Sequence, residues 1–192
     1  MTITDIVIAV AVVLFLGVYV SWRASRLDRM HTRLEAARAA LDVTLVRRSS
    51  VVLELAASGF LDPATSVLLA DAAHEARGGQ GTDLAGQELV QSNLSRALRA
   101  AFAQPGFRAS LDAMDGAADL LAELEAAAHQ VLVARKFYNT AVAVTRDARR
   151  KPLVRLLRLA GHAELPVFFE MDDALAVADD DGAGADMQRL AG

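Results

Sequence analysis

Cysteine is absent from the 192-residue chain, which removes disulfides and thiolate chemistry from consideration. Aromatic side chains are few, at 5% of residues with a single tryptophan, and there are four prolines. Strict alternation of apolar and polar side chains is nearly missing. The valines fall in segments of helical period, so strands are not expected. The formal net charge is −4, and nothing in it points to a nucleic-acid partner.

Spacings that carry chemistry are missing too. His31, His74, His129 and His162 lie on different expected elements, and no two have the i, i+4 spacing of a metal site. Glu125 and His129 miss the Glu-x-x-His step of di-metal bundles. There is no Gly-x-Ser-x-Gly. Gly78-Gly79-Gln80-Gly81 is followed by Thr82-Asp83 rather than Gly-Lys-Ser/Thr, so it reads as a flexible connector and not a phosphate loop. Asp179-Asp180-Asp181-Gly182 lacks the alternating ligands and the twelfth-position glutamate of a calcium loop. No catalytic residue, cofactor or metal is expected, and the chain does not read as an enzyme.

What the chain does have is apolar length. From Ile6 to Val20 there is neither a charge nor a proline, and Tyr19 is the only polar side chain. Extended from Ile3 to Trp22, the run makes roughly 30 Å of helix, the thickness of a bilayer's hydrocarbon core. No basic side chain precedes it, and Val20-Ser21-Trp22-Arg23 is a poor cleavage site, which argues against a signal peptide. The run has no polar face, which argues against the core helix of a soluble domain. Residues 1–22 are therefore read as a transmembrane anchor that meets the lipid bilayer through residues 3–22. Tyr19, Trp22, Arg23 and Arg26 are expected at its interface. Asp5 precedes the span while Arg23, Arg26 and Arg29 follow it. The positive-inside rule then gives a single-pass protein of the cell membrane, N-terminus outside and helical domain in the cytoplasm.

Residues 23–170 read as an all-α domain, a long antiparallel four-helix bundle. Residues 21–58 continue the membrane helix, with Leu27, Met30, Leu34, Ala37, Leu41, Leu45, Val52 and Leu55 forming a one-sided stripe. Arg48 falls in register with that stripe. It is expected to snorkel outward, the alternative being a bond across the core edge to a carboxylate. Gly59 ends the helix. Asp62-Pro63 starts a second, running to about Arg77 with Val67, Leu68 and Ala72 inward. A third spans about Leu84 to Gln104, with Leu89, Leu94, Leu98 and Phe102 as its apolar face, and Pro105-Gly106 ends it. A fourth runs from Phe107 to about Arg150, with a bend at Gly116, and Pro152 stops it. Short connections imply antiparallel neighbours.

In that arrangement the fourth helix returns toward the bilayer. Arg149, Arg150 and Lys151, followed by the expected short helix 153–160 with Arg155 and Arg158, would form a lipid-facing basic patch. Packing of residues 153–159 on the bundle is the equal alternative. Residues 171–192 are acidic and small, and they read as a disordered tail.

The segment Ala134-Arg135-Lys136-Phe137-Tyr138-Asn139-Thr140-Ala141-Val142 resembles the signature of the LemA family. Those are membrane-anchored bacterial proteins with a long helical bundle. Arg47-Arg48, Pro152 and Phe168-Phe169-Glu170 fall where that family has a paired arginine, a proline and Phe-Phe-Glu. The chain departs at Thr145-Arg146, where a second Tyr-Asn is common, at Ala128, where a glutamate is usual, and at Glu54, where an asparagine is usual. The resemblance implies a divergent member, and it brings no settled activity with it.

Arg135, Tyr138 and Asn139 share one side of the fourth helix. With Arg48, Phe168, Phe169 and Glu170 they are the candidate residues for interaction or for locking the bundle. The expected function is that of a membrane-anchored scaffold or protein-interaction module, self-associating or docking another membrane or envelope protein. The alternative is a membrane-bound enzyme or signalling component with a site inside the bundle. A buried cluster of Arg48 and Arg135 with Glu123 or Glu125 would favour that alternative.

Overall fold

A computed structural model describes residues 2–79, 83–105, 107–151 and 164–172. All regular structure among them is helical, in five elements: α1 (Ile3–Ala57), α2 (Pro63–Gly78), α3 (Leu84–Phe102), α4 (Phe107–Asp112) and α5 (Ala117–Arg150). The expected short helix 153–160, with Arg155 and Arg158, lies outside the described residues, as does the tail from residue 173.

Local chemistry explains the boundaries. After α1, Gly59 takes φ +79°, a left-handed conformation that costs other L-residues steric strain. Asp62 caps α2 by accepting from the Ala64 and Thr65 amides, and Pro63 fills the first turn, where no amide is needed. Asp83 caps α3 through the Gly86 amide. The expected bend at Gly116 is a full break: φ is +86°, so the single fourth helix becomes α4 and α5.

The chain divides into two compact units. The first comprises residues 1–38 and 137–168. Its α1 stretch carries the apolar run Ile3–Trp22, mean hydropathy 2.6, and none of the described side chains in it is buried within the protein. On its α5 stretch Tyr138, Val142 and Thr145 are buried at steps of four and three, the one-sided pattern of a packed helix.

The second unit comprises residues 39–136 and 169–192. Its core gathers Val52 and Leu55 of α1, Leu69 and Ala73 of α2, Leu94 and Leu98 of α3, Leu111 of α4, and Leu121 and Leu124 of α5. α2 packs along α3. Phe102 meets Phe107 edge-on, ring centroids 5.2 Å apart, where α3 hands over to α4. Two expected faces are turned. On α2, Val67 and Leu68 are exposed, while Thr65, Leu69, Ala73 and Ala76 face inward. On α3, Leu89 is exposed, and the inner face is Gln87, Gln91, Leu94, Ser95, Leu98 and Ala101.

Candidate functional site

The second unit buries polar side chains as well as apolar ones. Arg48 does not snorkel; it is 3% exposed. Its guanidinium donates to Ser95 Oγ (3.1 Å), the Gln91 carbonyl (3.1 Å) and Gln91 Oε1 (2.7 Å). Gln91 Nε2 donates onward to the Ala76 carbonyl of α2. One turn earlier, Gln87 Nε2 donates to Asp42 of α1. Three helices are thus joined by a seam at positions 87, 91 and 95 of α3, spaced four apart on one face. Hydrogen bonds to a buried charge contribute about 1.5–3 kcal/mol each, so the seam fixes how α3 meets α1 and α2. Arg48, Gln91 and Ser95 are closed to solvent, so a solute does not reach them. The sequence signal for the seam was the i, i+4, i+8 recurrence of Gln87, Gln91 and Ser95 in register with Leu94 and Leu98. An apolar stripe alone does not reveal it, because these three side chains are polar.

The segment 169–172 has no regular secondary structure, and it is held mainly through its backbone. The Glu170 amide donates to Glu88 Oε1 (2.8 Å), and the Asp172 amide donates to Ser92 Oγ (3.2 Å), both on α3. The Met171 carbonyl accepts from Arg135 on α5 (3.0 Å). Phe169 is wholly buried and Met171 nearly so, while Glu170 between them is exposed. Arg99 pairs with the Asp172 carboxylate. The packed strap therefore runs two residues past the expected boundary at 170.

In the first unit Tyr138 Oη donates to the Val167 carbonyl (2.9 Å), and the Arg38 guanidinium lies 5.7 Å from the Tyr138 ring centroid. Arg146 stands 5.3 Å from the Phe168 ring centroid. Asn139 is half-buried, and beside it Phe137 is 69% exposed. Arg149, half-buried, donates to the Glu164 carbonyl, whereas Arg150 and Lys151 are exposed. At the flank of the apolar run Tyr19 is half-buried, and Trp22 and Arg26 are exposed. Arg23 lies on α1.

The cluster that would favour an interior catalytic site does not include the proposed carboxylates. Glu123 pairs with Arg47 (3.6 Å) and Glu125 with Arg108 (2.8 Å), both at the surface, where such pairs add little. Among the described residues no three His, Asp or Glu side chains are close enough to hold a metal.

Comparison with models of protein families gives no match, and searches of curated proteins and of solved structures give none either.

Proposed function

We propose that this chain is a membrane-tethered helical scaffold, a divergent LemA-like protein whose soluble part is an antiparallel four-helix bundle that docks another membrane or envelope protein or a second copy of itself. The run Ile3–Trp22 carries this reading. The run is twenty residues long, carries no charge after Asp5 and is largely exposed in the protein, which suits an apolar solvent, and a bilayer supplies one of matching thickness. Arg26 and Arg29 at one end favour the cytoplasm for that side. The signature Arg135 and Tyr138 are each engaged internally, Arg135 with the Met171 carbonyl in the second unit and Tyr138 with the Val167 carbonyl in the first. The neighbouring Phe137, exposed and apolar, is then the docking anchor on α5.

Two measurements test the reading. Carbonate washing of native membranes should leave the intact chain, apolar run included, in the pellet. A soluble chain shortened by about 20 residues would make the run a signal sequence instead. Crosslinked pull-downs should then lose a specific partner with Phe137→Ser while helicity is kept. An Arg135→Ala/Tyr138→Ala/Asn139→Ala variant should loosen the bundle itself. Partners unchanged by Phe137→Ser would remove the docking assignment.

A further inference from the structure

Charge divides sharply along the chain. Residues 1–38 and 137–168 hold eleven Lys and Arg against five Asp and Glu, a net of +6. The remaining residues hold nine against nineteen, a net of −10. The modest overall −4 thus conceals a basic unit, and that unit is the one that carries the apolar run.

Within it the cations are ordered. Arg26, Arg29 and Arg33 are exposed, and steps of three and four place them on one side of α1. Asp28 and Glu35 lie about a quarter-turn or more away round the same helix. Helical rise sets Arg26 about 6 Å, Arg29 about 10 Å and Arg33 about 16 Å past Trp22. At physiological ionic strength, where the screening length is about 8 Å, Arg26 lies within one such length of the end of the apolar run, Arg29 just beyond one, and Arg33 about two lengths away. Arg150 and Lys151 are exposed at the end of α5 in the same unit. Among the described residues none of these five cations makes an ion pair. Arg38 over Tyr138 registers α5 on α1. In the antiparallel arrangement proposed above, Arg150, twelve residues beyond Tyr138, comes level with Arg26, twelve residues before Arg38.

We infer that Arg26, Arg29, Arg150 and Lys151 form a collar that takes the headgroups of anionic phospholipids. A headgroup phosphodiester offers acceptor oxygens to guanidinium and ammonium donors. A leaflet rich in such lipids also attracts each nearby cation by about 1 kcal/mol, or about fivefold. The inference rests on the membrane-anchor reading.

Trp22, the only tryptophan and the last residue of the run, reports the lipids around it. The full chain is reconstituted in phosphatidylcholine bilayers containing either brominated phosphatidylglycerol or brominated phosphatidylcholine, and quenching of Trp22 is compared. The anionic lipid should quench as though enriched about fivefold or more, and added salt should reduce the enrichment. Arg26→Gln/Arg29→Gln should bring it close to onefold, and Arg150→Gln/Lys151→Gln should lower it, while Arg26→Lys/Arg29→Lys should retain it. Equal quenching by the two lipids in the wild type leaves the anchor standing and overturns the collar, as does an enrichment unmoved by either glutamine pair. Quenching by neither lipid takes Trp22 out of the bilayer and removes both readings together.

Discussion

At the scale of single residues, the buried polar side chains set the sharpest expectations. Gln91 accepts from Arg48 and donates to Ala76, so Gln91→Ala leaves a buried guanidinium short of acceptors. It should cost about 2–3 kcal/mol in urea unfolding of the full chain in mild detergent, followed by circular dichroism. In a double-mutant cycle with Arg48→Met the two losses should fail to add. Asp62 gives a pH signature. Hydrogen bonds from Thr65, and then from the Ala64 amide, hold its carboxyl below the usual carboxylate range. A depressed folded-state value means that the cap's contribution is present above the ordinary carboxylate pKa and is lost as pH falls through the lowered one. Melting temperatures recorded from pH 7 to pH 3 should show the wild type losing its advantage over Asp62→Asn on acidification, because asparagine caps without titrating.

Helices carry the next set of consequences. The positive φ at Gly59 is needed to leave α1, and a Cβ there would meet nothing within 4 Å. The cost of Gly59→Ala is therefore conformational alone, about 1–2 kcal/mol, and Gly59→Asn should recover part of it, both read from thermal unfolding. Helix starts and stops were legible in the sequence because Asp62-Pro63, Gly59 and the apolar run act through local sterics and hydrogen bonds. Faces were less legible. Thr65 and Leu69 displaced Val67 and Leu68 on α2, because packing against α3 decided the register and not apolar content alone. Gly116 reads as a bend because no other strong break interrupts residues 107–150; its positive φ separates two helices instead. Arg48 reads as outward-pointing from sequence because a long charged side chain in register with an apolar stripe ordinarily snorkels to water. The acceptors that offset the cost of burying its charge, Gln91 and Ser95, lie 43 and 47 residues away in sequence, where no local pattern reveals them.

At the scale of the whole molecule, the strap ties the latest described residues to much earlier ones. Glu170 reaches Glu88 across 82 positions, Asp172 reaches Ser92 across 80, and Arg135 reaches Met171 across 36. The neighbouring helices α2 and α3 have a far shorter connection to close. Closing a long loop costs more entropy before any contact repays it, so α2 and α3 are expected to pair early and the strap to dock late. Phe169→Ala removes a fully buried aromatic ring and should cost about 3–5 kcal/mol. In stopped-flow experiments nearly all of that loss should fall on a faster unfolding rate, with refolding hardly slowed. Gln91→Ala, inside the helix pairing that forms first, should slow refolding instead. The strap is in this sense a kinetic latch: it sets how long the folded state lasts more than how quickly it is reached.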